Sequence, residues 1–320
     1  MSTRFDTIQL EQIAKDRVKI FVTKGEPPPT TLKVAMNEVG GFRSDHAVAL
    51  TGIDIEAKAK LVEAAFWASC EYGPEDYESV ATRLVRTDKV DASTNEQATA
   101  SWSITLKSPD ERKVGRVVSN AVTELALASI PGMFVLNAGS NPVAFGVYRP
   151  AVVPAAMVPQ HVVFLDGGET IVTSVVPNPP DVVVAPDLTA PDITAPSGPT
   201  IPMPLGCLVG ARSGDKGGNA NLGVFARTKP AWAWLDAFLT VDKLRELLPE
   251  TVPLVVDRYR FPALLSVNFV LHDLLGEGVA SSTRQDAQAK SLGEWLRSRV
   301  VEIPESLLDE PVRRSDDQSC

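Results

Sequence analysis

The sequence predicts an α+β protein of two domains joined by a proline-rich linker. Three observations lead there. The chain has 320 residues, more than one compact domain usually needs. Nine of its 25 prolines fall within residues 177–204. On either side of that stretch, short apolar runs with strand-like alternation interleave with segments of helical spacing. Hydrophobic residues make up 44% and charged residues 22%, which excludes a wholly disordered or fibrous chain. The formal charge is −9, so neither nucleic acid nor an anionic membrane is an expected partner. An anionic substrate would need a local positive site. No run of about 18 apolar residues occurs, and Arg4 and Asp6 interrupt the start, so the expected location is the cytoplasm.

The first domain is assigned to residues 1–176. Phe5–Leu10 and Val18–Val22 read as short strand pieces, and Thr31–Met36 as a strand after the breaker Pro27-Pro28-Pro29. Asp54 is placed to cap a helix through Leu61, Val62, Ala65, Phe66 and Ser69, which ends at Gly73-Pro74. Ser79–Arg86 and Ala98–Lys107 read as strands, and a helix follows from about Arg112 to Ala128. The succession strand, helix, strand, strand, helix suggests a split βαβ sandwich, or part of an α/β domain. His161 opens a strand that turns at Asp166-Gly167-Gly168.

Residues 177–204 form the linker, with the near-repeat APDLTAPDITAP at 185–196. Proline lacks an amide donor and biases its predecessor away from helix, so the stretch should be extended. The second domain, residues 205–303, begins with strands at Leu205–Ala211 and Asn221–Ala226 around a polar glycine loop. A helix is expected over Trp232–Leu248, strands over Val252–Tyr259 and Ser266–Leu275, and a last helix over Gln285–Arg299. Residues 304–320 form a polar tail.

The loop Arg212-Ser213-Gly214-Asp215-Lys216-Gly217-Gly218-Asn219 is the densest cluster of functional residue types. Its glycines permit converging backbone amides, and Arg212 and Lys216 add positive charge, which together suit an anion. Gly210 and Gly214 do not give P-loop spacing, and no hydroxyl residue follows Lys216, so nucleotide triphosphate chemistry loses its support. The plain alternative is a tight connection in which Asp215 pairs with Arg212. A second glycine-rich turn, Gly278 to Asp286, brings Arg284, Asp286 and Lys290 to a helix start, where Asp286 and Lys290 stand at i,i+4 spacing.

Other candidates are weaker. His46 beside Asp45 is read as a surface-loop residue, with a general base as the alternative. His272 beside Asp273 reads as a partly buried, hydrogen-bonded side chain. Cys70, Cys207 and Cys320 are far apart, so neither a disulfide framework nor a zinc site is expected. Cys70 and Cys207 read as packing residues, and Trp232 and Trp234 as core or interface residues.

The run RSGDKGGNANLGV at 212–224, the Arg260-Phe261-Pro262 turn, Asn268-Phe269-Val270-Leu271 and the Arg284, Asp286, Lys290-Ser291-Leu292 segment closely resemble the C-terminal part of the acyclic terpene utilisation (AtuA) family. The likeness covers about residues 205–299. Gly25-Glu26-Pro27-Pro28-Pro29 and the segment Gly52 to Lys60 are more loosely similar to the later portion of that family's large N-terminal domain. The resemblance implies a ferredoxin-like second domain and a role beside acyl-CoA enzymes in breaking down branched acyclic acids. It also implies that a leading half is absent from this chain, which is then either a separately encoded subunit that joins a partner supplying that half or a truncated product; the expected partners are a second copy of the chain or such a separately encoded protein. Ala289 stands where the resemblance leads one to expect glycine.

The leading expectation is therefore a protein acting on a terpene-derived carboxylate or acyl-CoA thioester. Arg212, Gly214, Gly217, Gly218, Asn219, Arg284, Asp286 and Lys290 would bind the anion, and Asp215, Lys216 and Ser213 would carry the chemistry. No metal and no cofactor are expected, with CoA entering only as part of a thioester substrate. The rival is a non-catalytic oligomerisation or docking subunit. A third reading is regulation by phosphate or a nucleotide at the loop.

Overall fold

The computed structural model describes residues 2–26, 29–137, 141–172 and 194–308. Most of the proline-rich segment, including the repeat up to residue 193, and the tail from 309 lie outside the described residues. The chain's contacts divide it into two compact units, one of residues 37–147 and one combining residues up to 36 with those from 148 onward. These limits do not follow the linear division at the linker, because the opening residues pack with the later part of the chain.

The opening residues form β1 (Ser2–Arg4), β2 (Gln9–Ala14), β3 (Arg17–Phe21) and β4 (Lys24–Glu26). β1 pairs with β4 and β2 with β3, both antiparallel. Phe5–Thr7, expected to extend, is a short 3-10 turn instead, in which the Thr7 hydroxyl donates to the Arg4 carbonyl.

The unit of residues 37–147 is built around β5 (Thr31–Thr51), a 21-residue strand that runs far beyond the expected Thr31–Met36. After it come α1 (Ile55–Ser69), β6 (Ser79–Val85), β7 (Thr99–Ser108), α2 (Arg116–Leu125), β8 (Met133–Asn137) and β9 (Val143–Pro154). The antiparallel sheet has the order β6-β7-β5-β8, the split βαβ arrangement read from the sequence. Asp54 precedes α1 in the left-handed region at φ 57°, and its side chain makes no cap hydrogen bond, unlike the expected capping role. The helix holds through its buried stripe Ile55, Ala59, Val62 and Phe66. That stripe and the α2 residues Val118, Ala121, Val122 and Leu125 close over Val48, Leu50, Trp102, Ile104 and Leu106 of the sheet.

The second unit continues with the hairpin β10 (Gln160–Val163) and β11 (Glu169–Val172), turning at Gly167 as expected. β12 (Thr200–Pro204) follows, so the end of the supposed linker is a strand. Among the described residues it pairs with β17 (Val300–Pro304) alone, where its prolines at 202 and 204 are tolerated.

The rest of this unit is β13 (Val209–Lys216), β14 (Asn219–Ala226), α3 (Lys229–Phe238), α4 (Val241–Leu247), β15 (Val256–Phe261), β16 (Ser266–Leu271), α5 (Leu292–Arg297) and β17 (Val300–Pro304). Its antiparallel sheet is ordered β13-β14-β16-β15. Ala220, Leu222 and Val224 of β14 and Val267, Phe269 and Leu271 of β16 are buried in one core with Trp232, Leu235, Leu244 and Leu296 of the helices. Strand alternation sends Asn221, Gly223, Phe225 and Asn268 to the opposite face.

Two helix expectations change. The span Trp232–Leu248 is two helices, because the chain breaks at Leu239 and Thr240 restarts it by accepting from the Lys243 amide at 3.1 Å. The last helix is confined to Leu292–Arg297. Residues 285–291 instead turn around Asp286, and Ala289 sits at φ 51°, the conformation that glycine suits.

Candidate functional site

The glycine loop of the sequence is a β-hairpin in space. Arg212 to Lys216 complete β13, Lys216 stands opposite Asn219, and only Gly217 and Gly218 form the turn. Gly217 takes φ 66°, as the first residue of a two-residue hairpin turn requires. Gly218 is needed for space: a side-chain carbon there would lie 2.1 Å from the Gly276 carbonyl oxygen. The hairpin tip is fastened by Leu275 donating to the Gly218 carbonyl at 2.9 Å and by the Asp273 amide donating to Asn219 at 3.0 Å. Gly217, Gly218 and Asn219 thus fix a corner of the fold.

The remaining predicted residues separate into three groups. Ser213 accepts from the Gly293 amide at 3.0 Å, which seats the first turn of α5 on β13. Asp215 lies 3.4 Å from the Lys290 ammonium, whose tip also covers Gly214, while Lys216 donates to the Asp215 carbonyl at 2.9 Å. Asp286 accepts from the Lys290 amide at 2.9 Å and from the Ser291 amide and hydroxyl at 2.8 and 2.6 Å. Burial works to raise its pKa, but the hydrogen bonds from Ser291 and Lys290 hold the carboxyl below its usual value. Arg284 pairs with Glu250. The expected side-chain pair of Asp286 and Lys290 on one helix is therefore replaced by two separate attachments.

Arg212 differs from all of these. It is exposed on β13, and among the described residues its side chain has no hydrogen-bond or ion-pair partner. It borders a cavity of about 540 Å³ on the sheet face away from the helices. Phe5 and Leu10 wall one side, Phe261 and Leu264 another, and Asn221, Gly223, Phe225 and Asn268 form the floor. Asp215, Lys216, Arg284, Asp286 and Lys290 do not line it. The two asparagines are tied by reciprocal amide bonds of 2.8 and 3.0 Å. Each keeps a second N–H to offer. An apolar cleft with few converging polar groups and one unpaired guanidinium suits a ligand with a greasy body and an anionic end.

The sequence marks Arg212 as a site residue by its charge, but it does not mark Asn221 and Asn268 so plainly. Their signal is weaker: each is a polar position alternating with buried Leu222 or Val267 in an otherwise apolar strand. Phe5 and Leu10 have none, because nothing local shows which distant strand they cover.

The histidines lie elsewhere. His46 is buried in β5 rather than on a surface loop, and neither ring nitrogen has a hydrogen-bond partner among the described residues. Burial lowers its pKa, against a smaller opposing pull from Asp45. His161 contacts Glu169 at 2.5 Å and His272 contacts Asp257 at 2.8 Å. Among the described residues, no group of three or more His, Cys, Asp or Glu side chains is placed to hold a metal ion. No helix among them is long and apolar enough to cross a membrane.

Comparison with known proteins gives two matches. Residues 1–164 match the model of the acyclic terpene utilisation family protein AtuA. Residues 203–302 match the AtuA ferredoxin-like domain. No curated protein and no solved structure matches the chain.

Proposed function

The chain belongs to the acyclic terpene utilisation family, and from that premise we propose that the cavity on the open sheet face binds the carboxylate of a branched, terpene-derived acid during its breakdown. The observation that carries this reading is the unpartnered guanidinium of Arg212 beside apolar walls. A carboxylate would accept two parallel hydrogen bonds from it, while the hydrocarbon chain would lie against Phe261, Leu264 and Phe225. A CoA thioester offers a neutral carbonyl there and would need cations for its phosphates. Lys290 and Arg284 are already paired with Asp215 and Glu250, so the free acid is the better fit.

Calorimetric titration of the full chain with citronellate tests the reading. Arg212→Gln keeps a polar side chain but removes the charge, and it should weaken binding by about 10- to 100-fold, the value of a charge-assisted hydrogen bond. Equal affinity in both proteins would overturn it. The proposal concerns binding. Proton transfer by Asp215, with Lys216 and Ser213 in support, is a separate proposal, since the Ser213 hydroxyl and the Lys216 ammonium already have backbone partners.

A specific observation favours the docking reading as a second one. The hairpin of β10 and β11 exposes Val163 at 70%, Phe164 at 54%, Leu165 at 110% and Ile171 at 62%. Side chains of this kind clustered on a small hairpin suit a partner surface. Sedimentation velocity of the chain against a Phe164→Ser, Leu165→Ser double variant tests it: the reading requires self-association that the variant abolishes, and a wild-type monomer counts against a homo-oligomer.

A further inference from the structure

We propose that Gly223 is a specificity-determining residue, whose missing side chain leaves a gap in the cavity floor for bulk next to the carboxylate of the bound acid. The inference rests on the carboxylate reading of the cavity and deepens it.

Glycine in the interior of a central strand weakens the sheet, so it calls for a reason. The hairpin's other glycines each have one within the protein. At Gly210 a side-chain carbon would lie 2.2 Å from the Phe225 ring, at Gly214 it would lie 3.0 Å from the Lys290 ammonium, and Gly217 and Gly218 face Tyr148 and the Gly276 carbonyl. Gly223 has no such reason. Its backbone does not need a positive φ, and a carbon added there would meet only Asn268 Oδ1 at 3.7 Å and the Arg212 carbonyl at 3.8 Å, ordinary contacts. The protein itself therefore has room for a side chain at 223.

The position of that room is informative. Gly223 stands directly opposite Arg212 on one side and Asn268 on the other, with Asn221 and Phe225 before and after it on the same face. All of these line the cavity. Opposed residues in an antiparallel pair are neighbours on one face. An acid held by Arg212 thus has its first carbons nearest the gap, and a branch at those carbons would occupy the space that a β-branched side chain at 223 would fill.

The test uses the full chain and two isomeric carboxylates, straight octanoate and valproate, which carries its branch beside the carboxyl group. Both are titrated into wild type, Gly223→Val, Gly223→Ala and Arg212→Gln, with circular dichroism melting as a fold check. Wild type is expected to bind both acids. Gly223→Val should weaken valproate by about tenfold or more and octanoate by no more than about threefold, the scale on which apolar pockets separate ligands by a carbon or two. Gly223→Ala should give a smaller change in the same sense and decides the matter if the valine variant does not fold.

Equal weakening of both acids, or of neither, overturns the specificity role. If Arg212→Gln still weakens both acids in that case, the carboxylate reading stands without it. If wild type binds neither acid, or Arg212→Gln changes nothing, the carboxylate reading fails and the role of Gly223 fails with it.

Discussion

Two antiparallel sheets, one of five strands and one of four, each with helices on one face, use their polar strand positions in opposite ways. In the sheet of β5 to β8, Ser44 and His46 point among buried apolar residues, and neither side chain has a hydrogen-bond partner among the described residues. In the sheet of β13 to β16, the polar positions Arg212, Asn221 and Asn268 sit on the open face around a cavity. The layered plan is the same, so fold class says little about where a ligand goes. Which face carries the odd polar residue decides that.

The largest expected effects test whether the two cores are independent. Trp232 and Phe66 are almost wholly buried, one in each core. Replacing either by alanine should cost about 3–5 kcal/mol. Hydrogen exchange of the full chain should then show Trp232→Ala deprotecting β13 to β16 while the amides of β5 to β8 keep their protection, and Phe66→Ala doing the reverse. Loss of protection in both sheets from one substitution would break the comparison, since the chain would unfold as a single cooperative body.

Acid sharpens it, because the two sheets should respond in different pH windows. His46 has a pKa lowered from 6.5, so the unfolded chain takes up a proton before the native one. Its effect on stability is absent above the ordinary value and grows as pH falls through it. In the other sheet Asp236 joins α3 to β15 through Arg258, at 2.8 Å, and Arg260. Burial would raise the Asp236 pKa, but the two guanidiniums hold it below 3.8, so that contribution is full above 3.8 and is lost only as pH falls below it. Between about pH 7 and 5, then, the urea midpoint of residues 37–147 should drop while the other sheet holds. His46→Leu should remove that slope and add roughly 1–3 kcal/mol, the cost of an unsatisfied buried polar group. A slope unchanged in His46→Leu would sink this account.

The sequence revealed the split βαβ order because its elements are marked locally. Phe66 sits on a helical stripe, Trp102, Ile104 and Leu106 alternate, and Pro131-Gly132 closes the helical stretch. It misled where one residue overrides a pattern. The apolar spacing from Trp234 to Leu248 runs across Thr240, whose hydroxyl starts a new helix. The spacing from Gln285 onward crosses Ala289, whose positive φ ends any helical path. The site was legible in part. Arg212 stands out by charge, but the cavity is made by Phe5, Leu10, Phe261 and Leu264 from distant parts of the chain, and no local pattern encodes that meeting.

A smaller effect is expected at Asp286, which fixes the turn before α5 through three hydrogen bonds. Asp286→Ala should destabilise the chain by about 0.5–2 kcal/mol, as loss of a helix-start cap does, and leave acid binding at Arg212 unchanged. A weakened affinity without loss of fold would join the two groups of residues into one site.

The smallest effect separates binding from chemistry. Asp215 and Lys290 form an exposed pair at 3.4 Å, and such pairs contribute about 0–1 kcal/mol. Asp215→Asn should therefore scarcely move the melting temperature, and because Asp215 does not line the cavity it should not alter carboxylate affinity either. If Asp215 nevertheless carries a proton in a reaction of this family, turnover would fall steeply while binding and stability stayed fixed. Unchanged turnover would leave Asp215 a surface partner of Lys290, and the open face of the sheet with its lone guanidinium would be the part of this unit to which function belongs.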